Sequence, residues 1–318
     1  MRGLTPAWVA VAVTVVLWAS AFAAIRAALA GFSAVDLSVV RLLVASLALV
    51  VAVPFVGLRR PALRDLPALV VAGALGMSAY QLALNTGERS VSAGTASLLV
   101  STGPIFVALL ASVFLRERMT RRAAAGTAIA FAGALVIALG QGGGVALSAG
   151  AVTVLGAALS QAAFFVVQKP LLARYSAFEV TAYAMWAGTA LLLPFGVHVP
   201  TARIEPLIAV ALLGVGSSAV GFIAWAYALA RLPVSVASST LYSVPVVAIL
   251  VALVWLGELP SAASVVGGAI ALAGVAVATR SAHAEGDRLG AARRGHGQRV
   301  AAAAQVAAGH AAAKAEAP

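Results

Sequence analysis

The sequence predicts an all-α membrane protein of ten transmembrane helices, built as two inverted five-helix repeats. Three observations carry this. First, 62% of the 318 residues are hydrophobic and only 10% are charged, against roughly 45 to 50% and about 25% in an ordinary soluble domain. A water-soluble core of this size could not hide so much apolar surface. Second, the apolar residues fall into ten windows, each near the ~20 residues that a helix needs to cross ~30 Å of hydrocarbon. Third, the chain repeats itself.

The windows cover approximately residues 8–29, 36–56, 66–86, 92–115, 123–139, 150–169, 178–197, 207–230, 234–256 and 261–279. The first begins just after Met1-Arg2-Gly3 and is longer than the ~7 to 15 apolar residues of a secretory signal. It is therefore read as a helix. The polar breaks are too short to hold a domain outside the membrane. Past Thr279 the composition turns to Ala, Gly and Arg, so residues 280–318 are expected to form a disordered cytoplasmic tail. The expected division is 1–140, 141–279 and 280–318.

Lysine and arginine placement sets the orientation, because cytoplasmic loops retain positive charge. With the N-terminus inside, the inner segments hold Arg2, then Arg59, Arg60 and Arg64, then Arg116, Arg118, Arg121 and Arg122, then Lys169 and Arg174, then Arg231 and the basic residues of the tail. The outer loops hold only Arg89 and Arg203. Both termini are thus expected on the cytoplasmic side of the membrane.

A shift of 141 residues lays 92–137 on 233–278, setting Pro104 on Pro245, Glu117 on Glu258 and Gly126 on Gly267. A shift of 143 sets Phe22, Arg26 and Ser33 to Asp36 against Phe165, Lys169 and Ser176 to Glu179. Five is odd, so a second five-helix unit enters the membrane from the opposite side. Charge agrees, since Leu115 to Arg122 carries four arginines and its counterpart Leu256 to Ala263 carries none. Inverted repeats of this kind let a transporter expose a midplane site to each side in turn.

Several functions are excluded by missing parts. The net charge of +11 is scattered between apolar runs rather than gathered on a face, which argues against a nucleic-acid partner. The chain has no cysteine, hence no disulfide, thiolate metal site or cysteine nucleophile. No lysine is followed by Ser or Thr in a phosphate-cradling loop, and neither HExxH nor GxSxG occurs. Gly214 to Ala219 imitates a dinucleotide fingerprint inside an apolar span, where close helix packing is the better reading. No enzyme, cofactor or metal is expected. The partners are the lipid bilayer and a small-molecule substrate, with the oligomeric state left open.

The stretches Leu17 to Leu29, Val35 to Leu49, Ser92 to Thr120 and Val234 to Glu258, taken in order and with their duplication, resemble the EamA-like transporters of the drug/metabolite transporter superfamily. The resemblance covers roughly residues 8–279. It implies a ten-helix secondary carrier of the bacterial inner membrane, with a central cavity lined by helices 1 to 4 and 6 to 9, moving amino acids, other metabolites or drugs, often outward. The expected function is export of small metabolites such as amino acids by alternating access. Uptake, lipid or drug flipping, or sensing without transport are the alternatives.

Cavity candidates are polar or aromatic residues set in otherwise aliphatic helices: Trp18 in helix 1; Tyr80, Gln81 and Asn85 in helix 3; Ser101 and Thr102 in helix 4. The second half offers Gln161, Gln168, Tyr183, Trp186, Trp225, Tyr227, Tyr242 and Ser243. Aromatic rings with a few polar groups suit an amphipathic metabolite. Arg41, about five residues inside helix 2, matches an arginine that the family shows there. It reads either as a substrate anchor or gate partner of Asp36, or as a side chain snorkelling to the surface. Arg26 leans towards snorkelling, and Glu117 and Glu258 towards ion pairs at helix ends. Pro104 and Pro245 are expected to kink helices 4 and 9. No carboxylate falls near the middle of a helix, so proton coupling would rest on Asp36, Glu179 or a less obvious group.

Overall fold

The computed structural model describes residues 6–114, 121–140, 148–196, 198–199, 204–232, 237, 240–274 and 276–277. Glu117, the side chain of Tyr242 and the 280–318 tail lie outside the described residues. The described residues are helical, with no strand among them.

The first half runs α1 (Pro6–Ala28), α2 (Ala34–Val56), α3 (Leu66–Gly73), α4 (Tyr80–Gly87), α5 (Ala93–Val100), α6 (Gly103–Phe114) and α7 (Arg121–Gly140). The second runs α8 (Ala149–Leu171), α9 (Ala177–Leu192), α10 (Ile204–Ala211), α11 (Gly221–Arg231), α12 (Val244–Leu256) and α13 (Ala262–Gly274). A widened π-helical stretch, Ala74–Ala79, joins α3 to α4, and another, Leu212–Val220, joins α10 to α11. Five continuous helical spans are long and apolar enough to cross a membrane: Pro6–Ala28, Ala34–Val56, Leu63–Gly87, Ala149–Leu171 and Ile204–Arg231. Val51, Phe55 and Val254 stand largely exposed on their helices, which in water would be a liability and in lipid is a solvated face.

Local chemistry starts and stops these helices. Ser33, Ser92 and Ser176 sit in extended backbone and accept a bond from the amide three residues on, at 3.1 to 3.2 Å. Ser176 and Glu179 form a complete capping box. Gly57 and Gly257 follow α2 and α12 with φ of +80° and +65°, where a side chain would be strained. The fourth expected span is interrupted: a turn at Ser101–Thr102 separates α5 from α6. Pro104 therefore stands in the first turn of α6 and Pro245 in the first turn of α12. There a missing N–H is harmless, so each proline opens a helix instead of kinking one.

The halves interlock. α1 packs on α11 and α12, while α8 packs on α4 and α6. Several contacts recur at the repeat spacing. A Cβ on Gly73 would lie 2.5 Å from the Ala184 carbonyl, and one on Gly214 would lie 3.0 Å from that of Arg41. Arg26 Nη1 donates to the Glu88 carbonyl at 2.8 Å, and Lys169 Nζ to that of Leu229 at 2.5 Å. Between α2 and α9, the hydroxyls of Ser46 and Thr189, 143 residues apart, lie 2.8 Å from each other.

Candidate functional site

A cavity lies where α1, α4, α6, α8 and the start of α12 converge. Trp18 and Phe22 come from α1, Tyr80 from α4, Ser101 and Pro104 from the α5–α6 break, and Gln161 and Phe165 from α8. Leu241 and Val244 close it from the second half. The cavity is thin, with a volume of about 30 Å³. At the ~10 to 15 Å³ that one water requires, it holds two or three. Its walls are built from an aromatic cluster: Trp18 lies 6.2 Å from the Phe165 ring in a stacked arrangement and 5.1 Å from Phe222, and Phe165 lies 4.7 Å from Trp225. The indole of Trp18 donates to the Ser217 carbonyl at 3.2 Å, which fixes its orientation.

Of the residues singled out from sequence, Trp18, Tyr80, Ser101, Gln161 and Pro104 reach this cavity. Trp225 is buried behind it in the aromatic cluster. Thr102 turns back to the Leu99 carbonyl at 2.7 Å. Gln168 is buried on α8, further along towards Lys169. Tyr183 donates to the Arg59 carbonyl and Trp186 to that of Ser46. Tyr227 lies under the Arg231 guanidinium, 3.4 Å from its carbon. Ser243 is exposed and bonds the Thr240 carbonyl. None of these last six lines the cavity.

A second polar cluster runs beside the cavity. Arg41 is only 2% exposed, so it does not snorkel to the surface. Its Nε donates to Ser218 Oγ at 2.7 Å and one terminal nitrogen to Ser217 Oγ at 2.8 Å. Both serines belong to the π-helical stretch, whose widened turn lets two consecutive side chains meet one guanidinium. Asp36 is not its partner. That carboxylate accepts from Ser33 Oγ and from the His198 amide. Asn85 donates to Ser38 Oγ at 2.8 Å, and Gln81 lies fully buried one turn away.

Each end of the bundle is tied. At the α1–α2 end, Arg26 Nε meets Glu258 Oε1 at 3.0 Å, and the Ala93 amide donates to Glu258 Oε2. Arg26 is therefore an ion-pair partner with 34% of its side chain exposed, and not a snorkelling group. Beside it opens a vestibule lined by Arg26, Leu29, Ala30, Arg89, Leu256 and Glu258. At the α2–α3 end, Arg59 holds Glu179 through two side-chain bonds of 2.9 Å, and Asp65 accepts from Arg174 and Tyr175. The bonds to Glu179 hold the Arg59 guanidinium above its ordinary pKa, so this tie stays charged through the physiological range.

Sequence reasoning missed Glu88. It falls between apolar windows beside Arg89 and reads as loop, yet it is fully buried whereas Arg89 is exposed. The available signal was its spacing, seven residues after Gln81 and three after Asn85, on one face of a helix.

A family model described as the EamA-like transporter family matches the chain twice, over residues 5–139 and 148–280. The chain belongs to the EamA-like transporter family. Its family and relatives are transporters and not enzymes. One relative from Streptantibioticus cattleyicolor, named a probable terminal-alkyne amino-acid exporter, is 50% identical over 85% of this chain and 92% of its own length. The uncharacterized transporter YdfC of Bacillus subtilis is 36% identical over 81% of this chain and 86% of its own. An uncharacterized transporter of Archaeoglobus fulgidus is 31% identical over 86% and 98%. A crystal structure only 20% identical superposes with a TM-score of 0.65 over 86% of this EamA-like transporter and 96% of that chain, which shows a common fold. Its apolar helices and family make it a membrane transport protein.

Proposed function

We propose that this transporter is a ten-span exporter of amino acids or similar small metabolites in the cytoplasmic membrane, working by alternating access. Its halves, residues 1–140 and 141–279, lie inverted with respect to each other, with both termini and the 280–318 tail cytoplasmic. The observation that carries the reading is a cavity whose walls come from both halves, Trp18, Tyr80 and Ser101 from one and Gln161, Phe165 and Leu241 from the other. Rocking one half against the other widens such a seam on one side and narrows it on the other.

Supporting the inversion are the charge asymmetry of the connecting segments and the contacts that recur at the repeat spacing. A residue bonded to its own counterpart, as Ser46 is to Thr189, belongs near an axis relating two like halves. Supporting the substrate class are the apolar and aromatic walls with one amide, Gln161, and two hydroxyls, Tyr80 and Ser101, which suit a compact apolar side chain on a polar head. A relative named for terminal-alkyne amino acids, 50% identical, fits that chemistry. Ties at both ends and a cavity that holds two or three waters support a cycle in which the seam must widen to load substrate.

Purified protein in liposomes should exchange radiolabelled propargylglycine, an amino acid with a terminal alkyne, saturably and with counterflow. Folded protein with no saturable flux for this or for a panel of amino acids refutes the function. Thiol labelling of Thr120→Cys and Ser261→Cys from one side of the membrane tests the inversion, which requires the two to react from opposite faces.

A further inference from the structure

Glu88 ends the α4 stripe of Gln81, Asn85 and Glu88, all three with no exposed surface. Both of its carboxylate oxygens lack a hydrogen-bond partner, as do both amide atoms of Gln81 and the Asn85 carbonyl oxygen. The charged groups facing it are Arg26 from α1, Arg41 from α2 and Glu258 from the α12–α13 connection. Arg26 is already engaged, by Glu258 and by the carbonyl of Glu88 itself. Arg41 is held by the two serines, and its remaining terminal nitrogen is buried without a partner. Two complementary groups on neighbouring helices are therefore buried with atoms left unpartnered.

An ionised carboxylate removed from water with no donor costs several kcal/mol, and a proton removes that cost. The other carboxylates near the helix ends are engaged: Asp36 by Ser33 and the His198 amide, Asp65 by Arg174 and Tyr175, Glu179 by Arg59 and Ser176, Glu258 by Arg26 and Ala93. Among the described residues, Glu88 is the buried carboxylate without a donor. Asp36 and Glu179, the sequence candidates for proton coupling, sit in the first turns of helices capped by Ser33 and Ser176.

We propose that Glu88 is the proton-binding group through which this transporter couples substrate movement to a proton gradient. The proposal rests on the transport reading above. In the occluded form the side chain is the neutral acid. When the Arg26–Glu258 tie opens, water from the vestibule reaches the carboxylate and delivers a proton to it. The proton is released to water on the other side, and the carboxylate left behind is stabilised by the free nitrogen of Arg41 until the vestibule reopens. One proton is bound and one released per cycle, with no covalent change. A metal cation fits poorly, since two guanidinium groups already face the same carboxylate. Because Arg26 bonds the Glu88 carbonyl, the tie and the proton site share one residue, so moving one disturbs the other.

The test is propargylglycine flux in proteoliposomes with and without an imposed pH gradient. Wild-type flux should rise with the gradient. Glu88→Gln should retain counterflow but lose the gradient response, while Glu205→Gln, at an exposed position, should behave as wild type. Should Glu88→Gln fail to fold, infrared difference spectra of the wild-type protein serve instead, and must show a protonated carboxylic-acid band that disappears on raising the pH; Glu88→Asp should then move the midpoint. Wild-type counterflow unaffected by pH gradients, drive by a sodium gradient, a gradient response surviving in Glu88→Gln, or absence of the infrared band overturns the proposal and leaves the transport reading standing. Absence of any wild-type flux defeats both.

Discussion

Replacing Glu258 with glutamine should loosen the α1–α2 end of the bundle. The substitution keeps the shape and the acceptor for the Ala93 amide but removes the charge that holds Arg26. The pair is half-buried, with 34% of the Arg26 side chain and 21% of the Glu258 side chain exposed. Exposed pairs contribute about 0.2 to 1 kcal/mol and breaking fully buried ones costs about 3 to 5. A value of roughly 1 to 2 kcal/mol is appropriate between them, equivalent to a shift of about 5- to 30-fold in the balance between closed and open forms. The chain contains no cysteine, so Ser101→Cys places a single thiol in the cavity. Its reaction with a membrane-impermeant maleimide, added from the vestibule side, should accelerate by that factor when Glu258→Gln is added. An unchanged rate in folded protein would mean that the tie does not control access.

Other expectations follow from the same geometry. Arg41→Ala should lower propargylglycine flux at least tenfold in proteoliposomes while leaving expression near normal, and normal flux would reduce Arg41 to a structural brace. Gly73→Ala would drive a methyl to 2.5 Å from the Ala184 carbonyl and 2.8 Å from the Gly188 amide. It should cost about 1 to 3 kcal/mol through overpacking, read as a lower melting temperature in detergent. Gly156→Ala, where a methyl meets nothing within 4 Å, should melt like wild type. A double-mutant cycle of Ser46→Ala and Thr189→Val should return a coupling of about 0.6 kcal/mol, the typical value for a hydrogen bond between helices in lipid.

The helical spans and the repeat were legible because both are written in local composition. Apolar windows and paired prolines need no partner to be recognised. The prolines also show where local reading stops. Pro104 and Pro245 mark a break in either case, but whether a helix bends there or starts anew depends on what packs around it. The turn at Ser101–Thr102 opens onto the cavity, where neighbouring helices accommodate a chain that is briefly not helical.

What the sequence by itself determined is the solvent this protein lives in and the kinship of its halves, since each depends on patterns counted along the chain. Tertiary structure alone decided which polar groups meet. Arg41 finds Ser217 and Ser218 some 176 residues away, and Arg26 finds Glu258 at a separation of 232. Glu88 is buried while Arg89 beside it faces out. Such pairings arise because a charge or hydroxyl taken out of water must seek a partner wherever the packed helices supply one, and no local pattern records where that is.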